Sequence, residues 1–283
     1  MSIRELLKET VALLYDNNRE EKAAYDLLQD TMQLESYQIY SMLDEEIEAE
    51  LINEYRMKVS RYLDGEPLQY ILGYEMFLGR NFSVDKRVLI PRYETEELVE
   101  NILYHIDDYF SEYQEIKVAD IGCGSGAISI SLDLEEPKTK VIGCDISKVA
   151  LEVAKKNNDL LNAKVKFMQG DLLQPLISAN IKLDILVSNP PYIPNEENIA
   201  LSVKDYEPNI ALFGGHKGID FYIEIFKDAK KILNERALLA FEIGHQQKAD
   251  LLNAATTFFE DAKMEVLKDI NGKDRMLFIY LNI

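Results

Sequence analysis

The sequence predicts an α/β fold: a seven-stranded, mostly parallel sheet, helices on both faces, and a small helical bundle ahead of it. Three observations carry this. Residues 116–283 alternate short branched apolar runs with amphipathic stretches, the pattern of strand–helix units around a parallel sheet. Asn271-Gly272 joins the last two runs, a hairpin signal that makes that pair antiparallel. Residues 2 to about 63 have apolar side chains at helical spacing, and no glycine occurs before Gly65.

In the first segment the spacing appears in Ile3, Leu6, Leu7, Val11, Leu13 and Leu14, then in Ala23, Ala24, Leu27 and Leu28. Asp44-Glu45-Glu46-Ile47 is expected to open a further helix, with acids at the end the helix dipole favours. Its apolar face would be Ile47, Leu51, Tyr55 and Val59. Gly65-Glu66-Pro67 ends the helices, and Tyr70 to Val84 shows short alternating segments around Gly73 and Gly79, as in a hairpin. The expected organisation is a helical domain over 1–64, a hairpin linker over 65–88 and the sheet domain over 89–283. Thr95 is expected to cap a helix whose apolar face includes Leu98, Val99, Ile102 and Leu103. Arg92, just ahead of it, reads either as a surface charge or as a group reaching into a cofactor cleft.

Strands are expected near 116–121, 139–144, 164–168, 183–188, 236–242, 264–269 and 275–281, and helices near 125–134, 148–161, 218–233 and 246–259. Seven strands with a terminal hairpin separate this pattern from a six-stranded dinucleotide domain.

Ile121-Gly122-Cys123-Gly124-Ser125-Gly126-Ala127 reads as a strand end, a glycine turn and a helix start. Glycines there let the backbone approach a ligand, although the spacing also satisfies a loose dinucleotide fingerprint. Asp145 ends the next strand, placed to accept from a pair of ribose hydroxyls, and Asp171 follows the third, placed to accept from an adenine amine with Leu172 covering the ring. With Asp120 they make three acids at successive strand ends, an arrangement that welcomes a cation and not a pyrophosphate. S-adenosylmethionine carries a sulfonium, an ammonium, a ribose and an adenine but no phosphate, so the site favours it over NAD. Cys123 and Cys144 read as small packed residues. His216 and Lys217 lie in a glycine loop that reads as flexible, and Glu242 and His245 stand after the fifth strand as lesser candidates for the cleft.

Asn189-Pro190-Pro191-Tyr192 follows the apolar run Leu183 to Ser188. Two prolines end a strand abruptly and leave a rigid extended turn at its carboxyl end, where open α/β sheets place ligands. The Asn189 side-chain oxygen and the Pro190 carbonyl are acceptors held at a fixed separation, able to take both hydrogens of a planar NH2 group while Tyr192 stacks on its plane. An amide nitrogen is a poor nucleophile, so orienting it matters, an effect worth up to roughly 7–11 kcal/mol. Asn189, Pro190 and Tyr192 are the candidate catalytic residues, and with Pro191 the candidate substrate site, for group transfer to nitrogen.

Composition narrows the field. The 283 residues carry a net charge of −19, of which −9 falls in residues 1–80, against duplex DNA or structured RNA as the main ligand. That acidity also suits a basic protein partner. No long uncharged apolar run exists to span a membrane, and the first seven residues form a charged amphipathic start without a signal-peptide core. Two cysteines and three scattered histidines supply no disulfide framework and no metal set, so a cytoplasmic enzyme without a structural metal is the default.

The chain resembles the HemK-type peptide chain release factor N5-glutamine methyltransferases over nearly its whole length. The resemblance rests on Leu72-Gly73 through Gly79, on Leu89-Ile90-Pro91-Arg92 with Thr95-Glu96, on the glycine loop with Asp145, and on Asn189-Pro190-Pro191-Tyr192. Tyr206-Glu207-Pro208 followed by Leu212-Phe213-Gly214-Gly215 and Gly218 also matches. It implies a Rossmann-like methyltransferase sheet that methylates the glutamine amide in the Gly-Gly-Gln motif of class 1 release factors. By matching position, Gly122 to Gly126, Asp145, Leu172 and Asn189 would contact S-adenosylmethionine, Asn189 to Tyr192 would hold the glutamine, and the acidic helical domain would help dock the release factor. Two positions depart from the family: Tyr93 replaces a usual proline, which changes the local loop, and Leu172 replaces an aromatic found in some members, which weakens adenine stacking.

The alternative within the same chemistry is an adenine or guanine amino-methyltransferase, which needs a basic groove or a target-recognition insertion that the sequence lacks. A nucleotide-dependent oxidoreductase leaves Asn-Pro-Pro-Tyr unexplained, and a vestigial binding module conflicts with the intact glycines and Asn189.

Overall fold

The computed structural model describes residues 1–198 and 201–283. The chain divides into two compact units, one of Met1–Tyr74 with residues 201–206, the other of the remaining residues from Glu75 onward.

The first unit is helical: Ile3–Asp16, Lys22–Met32, Ser36–Ser41, Ala49–Leu63 and Leu68–Leu72. Ser2 and Glu5 form a reciprocal cap on the first helix. Leu6, Leu14, Leu27, Leu28, Tyr55 and Val59 form its interior, the periodic apolar positions read from the sequence. The fourth helix starts at Ala49 and not at Asp44. Its expected first turn is committed elsewhere: Glu45 accepts from Ile3 N–H, Ile47 N–H donates to Met1, and Glu46 bridges Ser2. The helix Leu68–Leu72, inside the expected hairpin linker, was not anticipated, and neither was the placing of residues 201–206 with this unit.

The second unit opens with the hairpin β1 (Tyr74–Phe77) and β2 (Arg80–Ser83), then the helix Tyr93–Tyr109. Its sheet contains β3 (Ile116–Ile121), β4 (Thr139–Asp145), β5 (Lys166–Gln169), β6 (Leu183–Ser188), β7 (Leu233–Glu242), β8 (Lys263–Lys268) and β9 (Asp274–Leu281). The order is β5-β4-β3-β6-β7-β9-β8, with β9 antiparallel to both neighbours and the other pairings parallel. All seven expected strands are present, β7 beginning three residues early and β5 two residues late.

Strand residues alternate between two cores, as a sheet covered on both faces requires. Val118, Ile185, Val187, Leu238 and Phe278 face the helices Tyr93–Tyr109 and Ala127–Glu135, while Ala119, Leu186, Leu239, Phe241 and Ile279 face Asp220–Ala229 and Lys248–Phe258. The order reverses between β3 and β6, so a crevice opens beyond their carboxyl ends.

Candidate active site

A cavity of about 240 Å³ lies in that crevice. Its wall includes Ile121, Gly122 and Gly124 after β3, Cys144 to Ser147 at the end of β4, Gly170 to Leu172 after β5, and Ser188 to Pro191 at the end of β6.

The glycine turn is held from beneath. Gly122 and Cys123 N–H donate to the Cys144 carbonyl at 2.8 and 3.0 Å, and Gly124 N–H donates to Asp145 Oδ2 at 2.9 Å. Gly122 and Gly124 have φ of 73° and 54°, and a Cβ on either would meet no atom within 4 Å. Conformation therefore demands these glycines, and their bare backbone borders the cavity. Asp145 Oδ1 accepts from Ser147 N–H at 2.8 Å, and Ser147 in turn caps the helix Lys148–Leu161. Burial pushes the Asp145 carboxyl above its ordinary range, against the two N–H donors that hold it down.

Several expected contacts lie outside the cavity wall. Cys123, Ser125 and Gly126 do not line it. Cys123 is buried, a Cβ on Gly126 would strike Ile130 and Ala154 of the packed helices, and the Ser125 carbonyl accepts from Asn157 Nδ2 at 2.9 Å. Asp120 also lies outside the cavity wall: it is fully buried, with Ser129 N–H 3.1 Å from Oδ2 and no partner for Oδ1 among the described residues. Desolvation pushes it up to about 7. Of the three acids, Asp145 and exposed Asp171 border the cavity, with Leu172 between the latter and the core. Cys144 has its thiol pushed up to about 12 by burial, as a packed residue should.

Asn189, Pro190 and Pro191 line the cavity, and Tyr192 does not. The β6–β7 register pairs Ser188 with Phe241, so the next residues, Asn189 and Glu242, fall side by side. Asn189 Nδ2 donates to Glu242 Oε2 at 2.9 Å and to Thr95 Oγ1 at 3.1 Å, and Thr95 Oγ1 donates to the same Oε2 at 2.5 Å. The Tyr192 hydroxyl donates to Glu242 Oε1 at 3.3 Å, and the Tyr222 hydroxyl to the Glu242 carbonyl at 2.6 Å. Glu242 is 1% exposed, and burial raises its pKa against these donors. Thr95 is thus no helix cap: the helix begins at Tyr93, and Thr95 is a buried donor within its first turn. His245 is exposed and lies outside the cavity wall.

The glycine loop is a packed brace. Gly214 N–H donates to Ile193, and Ile193 N–H to Leu212, a parallel bridge that carries the strand end onward. Gln247 Nε2 donates to the carbonyls of Tyr192, Lys217 and Gly218 at 2.8, 3.1 and 3.1 Å. Arg92 pairs with Glu207 at 2.5 Å, and the Glu207 side chain is 2% exposed and also accepts from Ile90 N–H at 3.3 Å. That pair ties together the segments that carry Val88, Leu89, Pro208 and Ile210 to the cavity wall. Sequence reasoning named Glu207 only as part of the matching run Tyr206-Glu207-Pro208, with no role, and did not find Gln247 or Asn157. A glutamate closing a strand otherwise apolar from Ala237 to Phe241 was the one signal for Glu242.

Two families cover much of the chain. Residues 5–73 match the PrmC N-terminal domain, and residues 100–204 match the Methyltransferase small domain. A release factor glutamine methyltransferase of Bacillus anthracis is 43% identical over 280 residues, spanning 98% of this chain and 99% of that protein. The release factor glutamine methyltransferase of Bacillus subtilis strain 168 is 43% identical over 278 residues, spanning 98% and 96%. The crystal structure of a methyltransferase from Pyrococcus furiosus shares the fold, with a TM-score of 0.52 at 15% identity over 79% of this chain and 98% of that one. Similarity of this depth over the full length establishes that the chain belongs to the release factor glutamine methyltransferase family.

Proposed function

We propose that this chain methylates the side-chain amide nitrogen of the glutamine in the Gly-Gly-Gln motif of class 1 release factors, with S-adenosylmethionine as donor. The observation that carries it is the Asn189 amide, whose nitrogen is spent on Glu242 and Thr95, leaving Oδ1 as an acceptor beside the cavity.

The cavity chemistry fits the cofactor. Asp145 and Asp171 border it, and Arg87, the one basic residue among the described residues of its wall, is already bound to Asp85 at 2.6 Å. A phosphate-bearing ligand would meet two carboxylates there, whereas a cation is favoured. Gly122, Gly124, Asp145, Asp171, Leu172 and Asn189 would hold it. Cys123, Ser125 and Gly126 would shape the loop from behind. Two of the four acceptor positions on Asp145 are used by backbone N–H groups, which leaves capacity for a ribose hydroxyl pair. When bound, S-adenosylmethionine supplies an electrophilic methyl group on a positively charged sulfur.

The chain's own contribution is to orient the amide. Asn189 Oδ1 and the Pro190 carbonyl take its two hydrogens, Pro191 keeps that carbonyl rigid, and the Tyr192 ring, pinned through its hydroxyl, offers a face to the amide plane. Transfer would form the C–N bond and break the C–S bond, with neutral S-adenosylhomocysteine as the leaving group and one of the two amide hydrogens lost as a proton to solvent. The acidic helical unit offers a surface to a basic patch of the release factor, and the cytoplasm is where such a substrate is met. No helix among the described residues is long and apolar enough to cross a membrane.

The test is methyl transfer from labelled S-adenosylmethionine to a purified class 1 release factor and to its Gln→Ala variant in the Gly-Gly-Gln motif. Label on the first alone is expected. Label on both, or on neither with incorporation into DNA or RNA instead, overturns the reading.

A further inference from the structure

We infer that Glu242, acting with Thr95, decides which end of the Asn189 amide faces the cavity, and thereby makes the site select a substrate NH2 group over a carbonyl. The inference rests on the proposed amide capture and assigns its polarity to two positioning residues.

A primary amide is nearly symmetric in shape. Half a turn about its last bond exchanges an acceptor for a donor with little change in packing. If the nitrogen of Asn189 faced the cavity, the site would bind a carbonyl and reject an NH2 group. Something must break that symmetry, and the local structure shows what does.

Glu242 is fully buried, and its carboxylate only accepts. It receives Thr95 Oγ1 and Asn189 Nδ2 on one oxygen and the Tyr192 hydroxyl on the other. Turning the amide over would set Asn189 Oδ1 against Glu242 Oε2, acceptor against acceptor, inside a dry site where such a clash is costly. Thr95 completes the lock. Its single hydroxyl hydrogen is committed to Glu242, so toward Asn189 it too presents only lone pairs. Both neighbours of the amide nitrogen are thus acceptors. The parallel register of β6 with β7 brings Glu242 alongside, and the helix Tyr93–Tyr109 brings Thr95. The carboxylate also joins Tyr192 to the same network, so one buried group fixes two of the three candidate catalytic side chains.

Glu242→Gln tests this with little change in volume, because a glutamine can offer its own NH2 to a flipped Asn189. In this variant kcat for release factor methylation is expected to fall on the order of 100-fold. Calorimetric affinity for S-adenosylmethionine should change far less than kcat, because Gly122, Gly124, Asp145, Asp171 and Leu172, five of the six residues proposed to hold it, keep their places and only the Asn189 contact changes. Thr95→Val should lose about tenfold and Thr95→Ser should recover it, since serine restores the hydroxyl. A second readout needs no turnover. In protein labelled with ¹⁵N-asparagine, the Asn189 NH2 of the wild type should exchange slowly with water, and in Glu242→Gln rapidly. Near-normal kcat in Glu242→Gln, or failure of serine to rescue, overturns the inference. So does a rapidly exchanging Asn189 NH2 in the wild type. Wild-type protein that protects this NH2 yet leaves release factor unlabelled overturns the substrate assignment and leaves the amide polarity supported.

Discussion

A Cβ placed on Gly218 would lie 2.0 Å from the carbonyl oxygen of Tyr192, and one on Gly214 would lie 2.2 Å from that of Pro191. The glycine loop therefore packs backbone against backbone on the segment that follows Asn189, and Gln247 staples the two together. Gly218 also has φ of 71°, which costs an L-residue roughly 1–2 kcal/mol. Gly218→Ala is expected to lower the melting temperature by several degrees and methyl transfer by more than tenfold. Scanning calorimetry and the labelled-methyl assay measure both. An Ala variant with full activity would mean that the position of Tyr192 does not matter.

Asn189→Asp should be worse for the fold than Asn189→Ala. The aspartate would bring a second carboxylate to the position from which Nδ2 now donates to Glu242 Oε2 at 2.9 Å. Two carboxylates that close cannot both ionise, so one must take a proton or the pair must separate. Near pH 8 the expected penalty relative to Ala is on the order of 3 kcal/mol. It should shrink toward pH 5, where a shared proton restores a donor. Urea unfolding of both variants at the two pH values is the measurement, and a pH-independent gap would contradict the geometry.

Much of this was legible in the sequence because it is written in local chemistry. Branched apolar runs broken by Gly, Asn-Gly or Pro-Pro mark all seven strands, and the alternating burial of Val118 and Ala119 follows from a sheet covered on both faces. The cavity residues that depend on turn chemistry, Gly122, Gly124, Asp145 and Asn189, were legible for the same reason. What stayed hidden depends on contacts between residues far apart in the chain. Thr95 reads as a cap because a cap is a local property, while its partner Glu242 stands 147 positions away. Glu207 and Gln247 look like surface residues until the segments they bind are brought beside them. Asp120 reads as a cleft acid because it stands near a strand end, but its side chain is buried against Ser129 and does not line the cavity. A strand's two faces alternate residue by residue, so one step of register decides which acid meets the ligand.

Asp120 predicts a pH signature. Its carboxyl rises from 3.8 to about 7 on folding, so the folded state binds its proton more tightly than the unfolded chain does. That stabilisation is fully present below about pH 4 and is lost as pH rises through about 7, amounting to roughly 4 kcal/mol over that range. Asp120→Asn removes the titration. The stability of the variant, measured by urea unfolding between pH 4.5 and 8, should fall less steeply with rising pH than that of the wild type. Asp145 and Glu242 shift in the same direction and remain in both proteins, so the difference between the two slopes reports Asp120 together with its coulombic coupling to Asp145.

Arg92 and Glu207 should behave asymmetrically. The Glu207 side chain is 2% exposed, whereas Arg92 is 36% exposed and can be hydrated when alone. Arg92→Ala would leave a buried carboxylate with Ile90 N–H as its remaining donor among the described residues, a loss expected to cost on the order of 3 kcal/mol. Glu207→Gln keeps an acceptor for Ile90 N–H and strands only a half-exposed guanidinium, so about 1 kcal/mol is expected. The double variant should recover part of the Arg92→Ala loss, because a neutral amide tolerates burial better than an unpaired charge. The pair holds the segments that bring Val88, Leu89, Pro208 and Ile210 to the cavity wall, so S-adenosylmethionine affinity should follow the same ranking. Unfolding free energies and calorimetric titrations on the three variants supply both series. Equal losses from the two single variants would show the bond acting as an ordinary surface pair, and would remove it from the account of how the cavity is held.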